Sequence, residues 1–81
     1  NNFEVKNGGK CMKIIANNYE PKDVIKIIRE WTELSQKDFA ESINKSKDTI
    51  QSYELGRINM NLNTLYEIAK KHNLIITIEK K

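Results

Sequence analysis

Two short helical patterns joined by a polar turn, between Ser35 and Gly56, constrain the fold of this chain most. Ser35 can cap the first helix, because its side-chain oxygen can accept the backbone N–H three residues further on. Ser46 can cap the second helix in the same way, and Gly56 is the residue type that ends many helices. Asn44 suits the turn between them, since asparagine tolerates a positive φ angle. We therefore expect two consecutive helices separated only by a tight turn.

Amphipathic helices are predicted on both sides of this pair. The preceding helix should begin at Pro21, which the first turn of a helix tolerates, and should stop near residues 32–34. Its predicted apolar stripe is Val24, Ile27, Ile28 and Trp31. The following helix should be capped by Asn61 and end at Asn73. Its predicted apolar stripe is Leu62, Leu65, Ile68 and Ala69.

Both ends of the chain have extended patterns. Residues 1–19 alternate between apolar and charged side chains around the turn signal Asn7-Gly8-Gly9, which predicts a β-hairpin; the alternative is a flexible arm. Leu74 to Ile78 is apolar and β-branched, which predicts a strand before a basic tail. We therefore expect an α+β fold in one globular domain. About four helices would occupy 20–73, with the N-terminal β-hairpin in 1–19 and the C-terminal β-strand in 74–81.

Composition argues against several classes of protein. A net charge of +3 and a pI near 9.0 permit phosphate binding without proving it. The single cysteine, Cys11, excludes an internal disulfide and suits a reducing cytoplasm. No apolar run approaches the roughly 20 residues of a membrane span, and no signal-peptide pattern follows the N-terminus. One histidine and one cysteine cannot build the usual zinc site, and no glycine-rich phosphate loop is present, so we expect no metal, cofactor or enzyme activity.

The central region resembles the Cro/C1-type, or XRE-family, helix-turn-helix repressors. The resemblance runs from about residue 24 to residue 74 and rests on Leu34-Ser35-Gln36, Phe39-Ala40, Ser46, Ile50, Tyr53, Glu54 and Gly56. Asn44 and Lys45 depart from the family's usual glycine and small apolar residue, and Met60 replaces a frequent proline. The C-terminal strand is similar to that of HipB-like antitoxin repressors. The resemblance implies a lambda-repressor-like helical core.

The resemblance also implies roles for individual residues. The base-reading residues would be Lys47, Asp48, Gln51 and Ser52. The phosphate-contacting residues would be Gln36, Ser46, Arg57 and Asn59, of which Gln36 could instead support the second helix of the pair. Arg29 and Glu54 would form a structural ion pair between the first and third helices. In chemical terms, Lys47 can donate to guanine and Gln51 can pair with adenine.

Simpler interpretations stand beside these roles. Gln51 and Ser52 could be ordinary solvated helix surface, and Asp48 could stabilise the N-terminus of its helix through the helix dipole. Trp31 and Tyr53 lie on apolar stripes, so we expect them in the core and not as platforms for stacked bases.

The sequence thus predicts a cytoplasmic transcriptional regulator that binds double-stranded DNA specifically and represses by promoter occupancy. One alternative is an antitoxin that binds a toxin protein and represses its own operon. Another is a protein-interaction module that binds no DNA. A homodimer is expected, because the predicted C-terminal strand would leave an apolar edge that its two-fold mate can pair. The alternative is a monomer in which the N-terminal hairpin and this strand close one sheet. No membrane partner is expected.

Overall fold

The structure, a computed structural model, describes residues 3–6 and 9–81, with side chains from residue 12 onward. Within this part of the chain, two short strands lead into four α-helices. The strands are β1 (Phe3–Lys6) and β2 (Gly9–Met12), and a 3₁₀ turn follows over Ala16–Asn18. The helices are α1 (Pro21–Thr32), α2 (Gln36–Ser42), α3 (Lys47–Leu55) and α4 (Leu62–His72). The predicted positions of all four helices are confirmed.

Side-chain caps define the starts of α2, α3 and α4. Ser35 Oγ and Ser46 Oγ each accept the backbone N–H three residues further on, at 3.1 Å. Asn61 Oδ1 makes the same contact at 2.8 Å. Each cap satisfies one of the donors that a helix N-terminus leaves unpaired, which typically stabilises by about 1 kcal/mol. The three predicted caps are confirmed, so local chemistry fixes where these helices begin.

The turn between α2 and α3 depends on a left-handed residue. Asn44 has a φ angle of 57°, the conformation expected from its residue type. The N–H of Lys45 donates to the carbonyl of Ala40 at 2.9 Å and closes the turn. Lys45 is half-buried, and its flexible stem can cover the corner while its ammonium reaches water. The turn therefore holds α2 and α3 in a fixed relation.

The hydrophobic core forms where α1, α2 and α3 pack against one another, and α4 adds Ile68. Phe39 and Ile50 have no exposed surface, and Ile25 is 1% exposed. Burying one side chain of this size stabilises by roughly 1.5–3 kcal/mol. Tyr53 is also buried, as predicted. Because Ile50 and Tyr53 belong to α3, this core fixes which face of α3 points inward.

The predicted apolar stripe of α1 is wrong by part of a turn. Ile25, which the stripe omits, is buried, whereas Ile27 and Trp31 are only half-buried. The face that packs inward centres on Ile25 and Ile28 and extends to Arg29, which pairs with a residue of α3. A stripe defined by apolar residues alone cannot include Arg29, although Arg29 lies on the packed face. The predicted face was therefore rotated away from α3.

The predicted C-terminal strand is also wrong. Residues 74–81 form no strand. Leu74 packs against the core, and its N–H donates to the carbonyl of Ala69 at 2.9 Å. Beyond it, Ile75 and Ile78 are 89% and 92% exposed. Strand propensity needs a neighbouring strand to become structure, and none lies beside this segment in the described part of the chain.

The predicted α+β class is also wrong, because the C-terminal strand does not form and the core is helical. β1 and β2 pair antiparallel with each other, with Phe3 opposite Met12, and no third strand joins them among the described residues. The core cluster draws its members from helices and helix ends between Val24 and Leu74. The turn signal Asn7-Gly8 lies outside the described residues. The fold is therefore a helical domain, preceded by a short two-stranded ribbon.

His72 attaches the C-terminus of α4 to α2. Its ring stacks on Phe39, with ring centroids 5.2 Å apart, and its Nε2 lies 2.8 Å from Ser42 Oγ. The Ser42 hydroxyl donates its one proton to the carbonyl of Phe39 at 2.6 Å, so it accepts from His72 Nε2–H. Proton uptake would then occur at Nδ1. Burial lowers the pKa of His72 below its ordinary value of 6.5, and the charge of Lys71 lowers it further.

We predict that the free energy of unfolding falls as the pH is lowered from about 7 to about 5. Because the pKa of His72 is lowered in the folded state, the unfolded chain binds a proton more readily. This contribution is complete above about pH 6.5 and is lost as the pH falls through the folded pKa. His72→Gln should flatten the dependence in this range. Urea denaturation at several pH values measures it, and equal slopes for both proteins would contradict the prediction.

Candidate nucleic-acid interface

α3 has two chemically different faces. Ile50 and Tyr53 are buried in the core. The opposite face carries the four predicted base-reading residues, Lys47, Asp48, Gln51 and Ser52. The first three are exposed, and Ser52 is half-buried. Residues at positions i, i+1, i+4 and i+5 share one side of a helix, so α3 brings these side chains together on one surface.

Both ends of α3 are fixed by local contacts. The Ser46 side chain caps the N-terminus. At the C-terminus, Gly56 has a φ angle of 78°, and the N–H of Arg57 donates to the carbonyl of Ser52 at 2.9 Å. A Cβ atom at Gly56 would lie 3.2 Å from Lys22 Cδ, a tight contact. The positive φ would also strain a larger residue, so both the space and the backbone conformation favour glycine here. The polar face is therefore presented by a helix with defined ends.

An ion pair attaches α3 to α1. Arg29 Nε donates to Glu54 Oε2 at 2.6 Å, and Arg29 Nη2 donates to Glu54 Oε1 at 3.1 Å. Arg29 Nη1 donates to the carbonyl of Leu34 at 2.9 Å, so the guanidinium also holds the segment that leads into α2. The two charged side chains are only 18% and 6% exposed. The hydrogen bond to Glu54 raises the pKa of Arg29 against the opposing effect of burial.

Gln36, at the start of α2, binds the same carboxylate. Its Nε2 donates to Glu54 Oε1 at 3.2 Å. A carboxamide nitrogen has two N–H donors, so one donor remains for the phosphate contact that the sequence predicted. Glu54 belongs to α3 and accepts hydrogen bonds from α1 and α2. Its carboxylate therefore connects the three helices around the candidate surface.

Comparison with known proteins places this arrangement in a family. A family model described as helix-turn-helix matches residues 25–74, which is more than half of the 81 residues. The chain belongs to the XRE-type helix-turn-helix family. This is a family of DNA-binding regulators that are generally not enzymes. No curated protein and no solved structure matches the chain.

The helix-turn-helix unit consists of α2, α3 and the turn between them, and the other predicted phosphate-contacting residues lie at the ends of α3. Ser46 precedes α3 and is exposed, although its hydroxyl already serves as the cap. Arg57 and Asn59 are exposed in the loop that follows α3. The likeness to HipB-like proteins finds no support, because it depended on a strand that does not form.

Leu55 is the member of the helix-turn-helix surface that the sequence reasoning missed. It is 53% exposed and lies four residues after Gln51 and three after Ser52. That spacing puts it on the polar face of α3. The helical spacing that reveals Leu55 is present in the sequence, but only polar side chains were considered as base-contacting residues.

The described residues hold no cluster typical of a metal site. No three histidine, cysteine, aspartate or glutamate side chains in this part of the chain come together in a way that could hold a metal ion. Asp48 instead lies in the first turn of α3, where its charge favours the helix dipole. Among the same residues, no helix has the length and apolar composition to cross a membrane.

We predict that Glu54→Ala lowers the free energy of unfolding by about 3 kcal/mol, because it leaves the largely buried charge of Arg29 without its partner. Gln36 also loses its acceptor. Glu41→Ala removes an exposed carboxylate of α2 and should change stability by less than about 0.5 kcal/mol. Urea denaturation of both variants measures the difference. Equal effects would show that the ion pair does not stabilise the fold.

Proposed function

We propose that this chain is a transcriptional regulator that binds a specific sequence of duplex DNA and represses by occupying its promoter. The polar face of α3 carries this proposal, because it is exposed and is backed by the buried Ile50 and Tyr53. The major groove of B-DNA admits an α-helix, and each base pair shows it a different pattern of donors and acceptors. Membership of the helix-turn-helix family supports the proposal. The chain would act where DNA is accessible, in the cytoplasm.

α3 would read bases through four side chains with different chemistry. Lys47 is a pure donor and suits guanine O6 and N7, whereas Asp48 is a pure acceptor and suits the amino group of cytosine. Gln51 has both a donor and an acceptor and suits adenine. Ser52 can serve either role at a base or at the backbone. Because the four differ, the surface can distinguish base pairs.

Backbone contacts would orient the helix-turn-helix unit on the duplex. Arg57 and Asn59 follow α3 in an exposed loop, and Gln36 keeps one N–H beyond its bond to Glu54. Ser46 Oγ also lies 2.9 Å from Thr49 Oγ1. When Thr49 is the donor in that bond, Ser46 can offer its hydroxyl proton to a phosphate oxygen while its oxygen continues to accept the capping N–H. Phosphate contacts of this kind position a protein without reading sequence.

Lys47→Ala and Gln51→Ala should each weaken binding to the preferred duplex by roughly 1–3 kcal/mol and relax the preference at one base pair. The preferred duplex would be selected from a random pool with the unchanged chain. Lys70→Ala removes the same charge from an exposed position on α4 and should leave the selected sequence unchanged. If both α3 variants select the original sequence with unchanged affinity, α3 does not read the bases.

Arg57→Ala should weaken binding to all duplexes to a similar extent, because a phosphate contact carries no sequence information. It should also reduce the slope of log affinity against log salt concentration by about one unit. Titrations of the preferred and of an unrelated duplex at several salt concentrations give both quantities. A loss confined to the preferred duplex would place Arg57 among the base-reading residues instead.

Homodimer formation is a further part of the proposal. The strand that first suggested a dimer does not form, but Ile75 and Ile78 remain almost fully exposed. Ile76 and Ile78 also line an open groove with Tyr66 and Ala69 of α4. Exposed apolar surface of this kind is typical of protein contacts. A two-fold dimer would present two copies of α3 to half-sites about 34 Å apart.

We predict that sedimentation of the full chain at micromolar concentrations gives a dimer. A version that ends at Leu74 should be monomeric, because it keeps the packed Leu74 and removes the exposed residues that follow. Thermal unfolding of both versions would show that the shorter chain still folds. A full chain that remains monomeric and occupies a single half-site would contradict the dimer.

The antitoxin alternative is favoured by the same exposed residues. Apolar side chains such as Ile75 could contact a toxin protein as well as a second copy of the chain. An antitoxin that regulates its own operon would still bind duplex DNA through α3. A protein-interaction module would instead fail to bind any duplex at any salt concentration. The duplex selection therefore separates such a module from both the repressor and the antitoxin.

A further inference from the structure

Leu55 is an apolar side chain on the polar face of α3. It follows Ser52 by three residues, Gln51 by four and Asp48 by seven, a spacing that places all four on one side of the helix. Its side chain is 53% exposed, and it does not belong to the core cluster of the described residues. The surface that would face the major groove therefore includes one residue without hydrogen-bonding groups in its side chain.

The chemistry of leucine narrows what Leu55 can contact on a duplex. Its side chain can neither donate nor accept a hydrogen bond, so it cannot bind a phosphate oxygen or the amino and carbonyl groups of a base. The major-groove edges of the base pairs carry one apolar group, the C5 methyl of thymine. Contact with that methyl removes apolar area of both partners from water, which is favourable.

The position of Leu55 along α3 fits a contact at the end of the reading surface. An α-helix rises about 1.5 Å per residue, so Leu55 lies roughly 6 Å beyond Gln51. The two side chains are therefore far enough apart to contact different base pairs. Gly56 then ends the helix. Leu55 is therefore the last side chain that α3 adds to its polar face.

We propose that Leu55 binds the C5 methyl of a thymine and makes a T·A pair part of the preferred site, next to the base pairs that the other residues of α3 read. This inference rests on the proposed function, because it assigns a base to a residue of α3. Cytosine and uracil have hydrogen in place of the methyl at C5, so neither provides the contact. Leu55 would thus select by shape and apolar contact where its neighbours select by hydrogen bonds.

Replacing thymine by deoxyuridine tests the contact directly, because it removes the methyl and keeps Watson–Crick pairing. The duplex selected by the full chain would be synthesised with each thymine replaced in turn. At one thymine of each half-site, the replacement should weaken binding about fourfold, which corresponds to about 0.8 kcal/mol for one buried carbon group. Elsewhere in the duplex the replacement should have little effect.

Two variants of Leu55 connect this effect to the residue. Leu55→Ala and Leu55→Gln should each bind the thymine and deoxyuridine duplexes equally at that position. Leu55 is half exposed and outside the core, so both variants should fold, which thermal unfolding checks. Ile58→Ala is the matched control, because Ile58 is 50% exposed but lies in the loop after α3. It should keep the fourfold effect.

The possible outcomes separate this inference from the proposed function. A selected duplex in which no thymine depends on its methyl overturns the role of Leu55 and leaves duplex recognition by α3 intact. A methyl effect that persists in both Leu55 variants has the same consequence, since another residue must then make the contact. A random pool that yields no enriched duplex overturns both the proposed function and this inference.

Discussion

The carboxylate of Glu54 is the point on which the arrangement of the helix-turn-helix unit depends. It accepts hydrogen bonds from Arg29 on α1 and Gln36 on α2, while Arg29 also donates to the carbonyl of Leu34. Three helices therefore meet at one largely buried charge pair. Hydrophobic packing determines how closely α3 approaches its neighbours, but it has little directional preference. The buried Ile50 and Tyr53 fix which face of α3 points inward, and the two-point ion pair adds a directional constraint on the rotation of α3.

The same residues serve the fold and the candidate site through different atoms. Ser46 uses its hydroxyl oxygen to cap α3, and Gln36 uses one N–H to bind Glu54. Either residue could contact DNA only through the donors and acceptors that these bonds leave free. Its substitution would therefore alter stability and binding together. Lys47 and Gln51 are exposed on a helix that is already fixed. Their substitution reports on binding alone, which makes them the more informative positions.

Sequence reasoning succeeded where the decisive contact lies within a few residues. The caps at Ser35 and Asn61 and the polar face of α3 follow from local chemistry and helical spacing. Local patterns did not predict contacts between remote residues. The contact of His72 with Ser42, 30 positions away, was not expected, and the pairing of Arg29 with Glu54, 25 positions away, was expected only from the family resemblance. The strand expected from Leu74 to Ile78 does not form, since strand propensity cannot supply a neighbouring strand.

Three residues other than glycine adopt the left-handed conformation in the described part of the chain, namely Glu33, Asn44 and Asn73. Each lies where a helix ends or a turn begins. Such a conformation costs roughly 1–2 kcal/mol for most residue types, and somewhat less for asparagine. Substitutions that relieve this strain at the helix ends would therefore raise the free energy of unfolding. New residues on α3 that suit a different operator could lower the free energy of unfolding. A substitution at Glu33 that tolerates its positive φ could restore that stability, and it would leave α3 unchanged.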